Sequence, residues 1–574
     1  MRIKLTGLCL VISMILFGQT NQTKFEQSKG KETATYPEVI AWWQKLDQQS
    51  GKVKMITMGK TDSGFPLHLV IVAQNGDSNF ENIRKNKKNV ILVINGIHPG
   101  EPDGIDASML LARDIVDNKL KLPENIVLAF IPVYNIGGAL NRSENYRVDQ
   151  AGPVSFGFRG NARNFDLNRA FIKNDTRNAQ SFTEIFQLVQ PDVLIDNHVS
   201  NGADYQHVMT LIASQHNKLG GPMGEFMNKE FEPGIYALMK QKGYDLIPYV
   251  NSFGDTPQDG WPEFWDSPRY SSGYASLFHS FAFVPETHML KPYADRVKAT
   301  YALMQSFIEF TTQNGKIIKN IREQQADRIL RQANFPFKWE VDKTTWDNRL
   351  YKGYTSGHKT SEVSGLNRLY YDRSKPYDAT VPFYNNYLPK DFIKKPTAYI
   401  IPQGWWPVID RLKNNHVKMR SFQRDTVIEV EVYRIIDYQA SSRPYEGHRP
   451  NSNVQVEKKL EKKSFRKGDW YIPMNQVANR FLMEVLEPQM EDSYFAWNFF
   501  DPILQQKEGY SSYVFEETAA EYLKKNPALR KQLEDKKTTD TTFAKSASSQ
   551  LYFVFQHSTY YEPAHMQYPV YRVN

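Results

Sequence analysis

From residue 68 to residue 286 the chain repeats one pattern: a short apolar run rich in β-branched residues, a polar or glycine-bearing break, then a stretch with helical spacing. The runs are HLVIVA (68–73), NVILVING (89–96), IVLAFIPV (126–133), DVLIDNH (192–198), HVMTLIA (207–213) and FAFVPE (281–286). A strand that is apolar at consecutive rather than alternate positions is covered on both faces. The pattern therefore demands a sheet with helices on either side, an α/β domain. In such sheets the chemistry sits just beyond the carboxyl ends of the strands.

Pro37 opens a predicted helix through Gln49 that carries Trp42, Trp43 and Leu46, and residues 20–35 before it read as a flexible polar segment. Residues 292–332 read as one or two helices closing the α/β domain. Near Pro336 the character changes to a region rich in Tyr and Trp. Its alternating stretches TVIEVEVYRI (426–435), WYIP (470–473) and LYFVF (551–555) predict strands, with helical stretches at 405–414 and 516–536. The expected organisation is a leader over 1–19, the α/β domain over 36–335 and a β-rich C-terminal domain over 336–574.

The leader expectation comes from two positive charges, Arg2 and Lys4, followed by an apolar run from Leu8 to Phe17 and small or polar residues after it. That run is too short to span a bilayer and reads as a secretory signal peptide cleaved near Gly18 to Thr20. The expected location is secreted or periplasmic, with no integral membrane segment in the mature chain. The sole cysteine, Cys9, lies inside the leader, so disulfides, a cysteine nucleophile and thiolate metal sites are excluded from the mature protein. The formal charge of +8 falls to +6 without the leader, and basic residues are interleaved with acidic ones. A nucleic-acid partner is excluded, because counterion release needs a concentrated basic face. Nothing in the sequence specifies an oligomeric state.

Three strand ends carry polar residues where a core strand would stay apolar. NVILVING runs into IHPGEPDG, which places His98 and Glu101 across a turn. DVLIDNHVSNG delivers His198 where a buried run meets a glycine-containing loop. Two histidines and one carboxylate match the donor set of a catalytic Zn²⁺ that keeps a position open for water. SFAFVPETH delivers Glu286 in the same manner, a carboxylate suited to act as general base and then general acid. Between these strands, FRGNARNFDLNRAF offers Arg159, Arg163 and Arg169 with Asn168 beside the last. Guanidinium forks and an amide donor suit bidentate capture of a carboxylate.

Taken together, these residues resemble the zinc metallocarboxypeptidases of the carboxypeptidase A and B type. The resemblance covers about residues 36–310. It is carried by His98-Pro-Gly-Glu101, the turn from Asn135 to Gly138 followed by SENYR (143–147), FRGN (158–161), FDLNRAF (165–171), the His198 strand end and FVPET (283–287). It implies a mixed central sheet flanked by helices and one zinc ion per chain held by His98, Glu101 and His198. It further implies Glu286 as general acid/base, and Asn168 and Arg169 as holders of the substrate's terminal carboxylate. Arg159, rather than Arg163, falls at the arginine that stabilises the oxyanion. Asp166 falls at the carboxylate bonded to the first zinc histidine, and Tyr270 at the mobile tyrosine over the substrate, with Tyr274 close by.

The leading expectation is hydrolysis of a peptide bond near a free C-terminal carboxylate. A zinc amidase or deacylase, or a cell-wall peptide hydrolase, is the alternative, since desuccinylase and aspartoacylase enzymes share the His-x-x-Glu turn. A non-catalytic peptide- or glycan-binding protein is the third reading. It is disfavoured because a binding platform needs no open-coordination metal with a base beside it.

Overall fold

A computed structural model describes residues 21–574, so the leader expected over residues 1–19 lies outside the described residues. Nine strands form the central sheet: β1 (Val53–Lys60), β2 (Pro66–Ala73), β3 (Asn89–Ile94), β4 (Ile126–Ile131), β5 (Val193–Asp196), β6 (His198–Ser200), β7 (Met209–Ala213), β8 (Ile247–Pro248) and β9 (Phe281–His288). Their order is β1-β2-β4-β3-β5-β9-β7-β8, with β6 also paired to β9. Strands β4, β3, β5 and β9 run parallel in succession, while β1, β2 and β7 join antiparallel. The sheet is mixed, as expected.

Every residue of β3, β4, β5 and β7 is buried, which is what their uninterrupted apolarity requires. Helices Asp103–Val116 and Tyr293–Arg331 pack on each other and on the sheet, and Tyr36–Gln49 and Arg177–Val189 pack against β1. The stretch expected as one or two helices over 292–332 is a single helix. Residues 21–35, expected to be flexible, are packed instead. Phe25 is buried edge-on to Tyr293, and Thr23 and Glu26 form a capping box for a short helix, Lys24–Gln27. The polar composition concealed one apolar anchor.

Beyond residue 333 the chain is β-rich. A six-stranded sheet holds Ala398–Ile401, Arg420–Ser421, Thr426–Ala440, Asn451–Phe465, Trp470–Pro473 and Tyr571–Val573. A long hairpin, Asp347–Thr360 with Asn367–Tyr384, joins the short strand Trp261–Pro262 of the first half. The stretch LYFVF (551–555), expected as a strand, lies within the helix Ala547–Gln556. Leu551, Val554 and Phe555 are buried at helical spacing in one cluster with Phe515, Ala519 and Leu533, and Ser546 caps the N-terminus. Five consecutive apolar residues satisfy either period, and here tertiary packing selected the helix. Among the described residues no helix is long and apolar enough to cross a membrane.

Candidate metal centre and active site

Parallel alignment of β3, β5 and β9 brings their carboxyl ends to one edge. His98 follows β3 by four residues, His198 opens β6, and Glu286 lies directly opposite His198 in the β6–β9 register. The HPGE turn closes with the Glu101 peptide N–H donating to the His98 carbonyl at 2.9 Å. The helix starting at Asp103 then runs back over the sheet. Gly104 permits that path, since a methyl there would sit 2.5 Å from Asn197 Cβ. Gly104→Ala is expected to cost about 1–3 kcal/mol by overpacking. Thermal unfolding checks this, and an unchanged midpoint would show that the helix can shift freely.

His98, Glu101 and His198 are 2%, 3% and 4% exposed and hold the described residues' one cluster of metal-ligating side chains. The imidazole centroids are 5.0 Å apart. Each Nδ1 lies 3.2 Å from a different oxygen of Glu101. Each Nε2 faces another acid: Asp166 at 2.9 Å for His98, and Asp196 at 3.2 Å for His198. His98 Nε2 is hydrogen-bonded to Asp166, and the two Nδ1 atoms converge on the two oxygens of one buried carboxylate, an arrangement that a shared cation would satisfy. Burial alone would lower the His198 pKa, but Asp196 and Glu101 outweigh it and hold it well above the usual imidazole value. Burial would raise Glu101, yet Arg147 and the two histidines keep it well below the carboxylate range. The donor set of two nitrogens and one carboxylate is that of a catalytic zinc site, and acids behind the imidazoles fix their tautomer and ring orientation. The residues fit the ion.

A cleft of about 590 Å³ opens beside this cluster and is lined by Glu286, Arg147, Arg159, Asn168, Arg169 and Tyr270 as well as the ligands. Burial, reinforced by the charge of Glu101 and only partly offset by His198, pushes the Glu286 carboxyl up to about 8. Arg159 donates from Nε to Asp166 Oδ2 at 2.9 Å and holds Nη1 3.7 Å from Glu101. Arg169 stacks on the Tyr270 ring at 4.7 Å. Arg163 is placed apart: its guanidinium covers Phe165, and it is not among the cleft residues. Tyr274 lies in the core, its hydroxyl on Asn415 at 2.7 Å. A larger cavity of about 1080 Å³ lies elsewhere, bordered by Trp265, Arg328 and Arg480, and contains none of these groups.

Residues 39–192 match the family model of zinc carboxypeptidases. That stretch carries the signature of a zinc carboxypeptidase domain. The chain is also similar to Carboxypeptidase 2 of Trichophyton rubrum, 22% identical over 419 residues that cover 70% of this chain and 72% of that protein. The Carboxypeptidase 2 of Trichophyton equinum matches to the same extent. Among solved structures, a metallo-carboxypeptidase from Pseudomonas aeruginosa aligns with a TM-score of 0.37 and 16% identity, over 49% of this chain and 68% of that one. One from Burkholderia cenocepacia aligns at 0.35 and 13%, over 49% and 70%. The family match ends before His198 and Glu286, which the fold brings beside His98 and Glu101.

Several groups in the cleft were not singled out by sequence. Arg147 donates from Nη1 to Glu101 at 2.9 Å. Its motif, SENYR, is visible, but no local spacing points the side chain at the metal cluster. Asp196 left a legible trace, an acid in the otherwise apolar strand VLID. The apolar wall of Ile212, Tyr249, Phe264 and Val284 comes from four separate segments and has no shared signature.

Proposed function

We infer that the chain is a zinc-dependent metallocarboxypeptidase that hydrolyses the peptide bond next to a free C-terminal carboxylate. What carries this reading is the convergence of two imidazole Nδ1 atoms on one carboxylate, each at 3.2 Å, beside a cleft that holds both a further acid and guanidinium groups. His98, Glu101 and His198 would hold the zinc ion. When bound, zinc supplies Lewis acidity, which activates water and polarises the scissile carbonyl. Glu286 takes a proton from the attacking water and returns it to the leaving amine nitrogen. The Arg159 guanidinium stabilises the negative charge that develops on the carbonyl oxygen, an effect worth roughly 3–4 kcal/mol for a well-placed donor. Asn168 and Arg169 hold the terminal carboxylate, with Tyr270 packed on the guanidinium face. The wall of Ile212, Tyr249, Phe264 and Val284 suits an apolar C-terminal side chain.

The reading assigns catalysis to residues 36–335, followed by a second unit over 336–574, and takes residues 1–19 as an export signal. N-terminal sequencing of exported protein would start after Gly18 to Thr20.

Metal-loaded protein is expected to release free amino acids from peptides ending in Phe or Leu, and a chelator is expected to stop this. C-terminally amidated peptides should be cut roughly 100-fold more slowly or worse, because a site built for a charged partner rejects an analogue lacking it. Mass spectrometry of a peptide library with and without chelator checks both. Chelator-resistant cleavage would overturn the reading, and consumption of small N-acyl amino acids in place of peptides would favour the deacylase alternative.

A further inference from the structure

Arg169 reaches the cleft under unusual restraint. Its Nη1 donates to the Asn168 carbonyl at 2.9 Å and its face lies on Tyr270, both contacts local to the zinc carboxypeptidase domain. The third restraint comes from far along the chain: Nε donates to the Tyr445 hydroxyl at 2.9 Å. Nε and one Nη1 hydrogen are thereby occupied, which leaves Nη2 and the second Nη1 hydrogen as the part of the fork available to a substrate carboxylate.

Tyr445 sits on a tight turn that belongs to the β-rich region. The Tyr445 N–H donates to the His448 carbonyl at 2.8 Å and the His448 N–H to the Tyr445 carbonyl at 3.0 Å, with Glu446 and Gly447 both at positive φ between them. This is the geometry of a two-residue hairpin turn, a rigid way to present a side chain. The turn is pinned on the catalytic side at three further points. Glu446 accepts from the Asp166 N–H at 2.7 Å and, through its carbonyl, from Lys173 at 3.2 Å, while His448 Nε2 lies 2.8 Å from Asp175. A side chain at Gly447 would collide with Phe165, which lies between Arg163 and Asp166. The Tyr445 ring stacks on buried Trp497 at 6.1 Å and 21°. The pinned turn and the ring contact set the hydroxyl on Arg169, while Tyr445 itself is 37% exposed.

We propose that Tyr445 is a positioning residue for substrate-carboxylate capture: its hydroxyl sets the orientation of Arg169, so the C-terminal region completes the catalytic cleft. This rests on the assignment of Arg169 to the terminal carboxylate. A turn that only docked two parts of the chain would need the hydrogen bonds of Glu446 and His448, but no hydroxyl aimed at Arg169.

The test is a double-mutant cycle between Tyr445→Phe and Arg169→Met in the full-length, zinc-loaded protein. Phe keeps the ring on Trp497 and removes only the hydroxyl. Tyr445→Phe is expected to raise KM about 5–10-fold for peptides with a free C-terminus, with kcat within about twofold, and to weaken product inhibition by a free amino acid to the same extent. Cleavage of C-terminally amidated peptides should not change. On the Arg169→Met background the Tyr445 substitution should add less than about twofold. An equal KM increase on both backgrounds, or a drop in kcat with KM unchanged, would overturn the proposal. So would a wild-type KM in Tyr445→Phe when Arg169→Met is impaired. If Arg169→Met itself leaves KM unchanged, the carboxylate assignment fails first. Should Tyr445→Phe lower the unfolding midpoint, the cycle is read at a temperature where circular dichroism shows all four proteins folded, and the same outcomes decide it.

Discussion

Exchange of Glu286 for glutamine is expected to lower kcat roughly 10³-fold or more while zinc content stays at that of the unaltered protein. The two side chains have the same shape, so β9 keeps its register against His198 and Thr210. What is lost is the oxygen that accepts a proton from water and hands it to the leaving nitrogen. None of the three groups expected to bind zinc is altered, which separates proton transfer from metal binding. Steady-state kinetics together with elemental analysis decide the matter. Turnover within tenfold of the unaltered enzyme would remove Glu286 from the mechanism.

Replacing either His98 or His198 by alanine is expected to abolish both zinc retention after dialysis and peptide hydrolysis. A site with three protein ligands that loses one keeps too few to hold the ion against water. Each change also strands an acid: Asp166 would lose its contact with His98 and Asp196 its contact with His198. Loss of such a partner costs about 1–3 kcal/mol for a buried group. Asp196 is fully buried whereas Asp166 also pairs with Arg159, so His198→Ala should lower the unfolding midpoint more than His98→Ala. Elemental analysis and thermal unfolding of the two variants test this. Full zinc occupancy in both would sink the assignment of these histidines as ligands.

The local features that sequence reading relied on have a common physical origin. Uninterrupted apolarity in NVILVI or DVLID reports burial on both faces, and a polar residue just after such a run marks where the strand leaves the core. That is why His98, Glu101, His198 and Glu286 stood out as a set, though none does alone, and why the α/β architecture was legible. Short apolar runs are ambiguous when period is the only guide. LYFVF became a helix because Phe515 and Leu533 offered it a groove. Residues 21–35 became ordered because one phenylalanine found Tyr293.

The site's outer parts escaped sequence reading for a different reason. Arg147 meets Glu101 across 46 positions, and Tyr445 meets Arg169 across 276. Neither contact leaves a periodic or compositional trace, since each depends on where an entire loop is set down. Arg163 illustrates the converse: by residue type alone the three arginines within eleven residues suit a carboxylate equally, and only the resemblance of FRGN to a family motif favours Arg159 over Arg163. Backbone geometry turns Arg159 and Arg169 into the cleft and lays Arg163 over Phe165.

By itself the sequence determined a doubly covered sheet with two imidazoles and two acids at its strand ends, because burial and strand termination are written in consecutive residues. Only the tertiary structure decided which atoms face one another: both Nδ1 atoms on Glu101, an acid behind each imidazole, and a tyrosine from the far half of the chain on Arg169. Contacts of that kind arise from the register of strands and the docking of loops, which are fixed by packing summed over the whole fold rather than by any neighbouring residues.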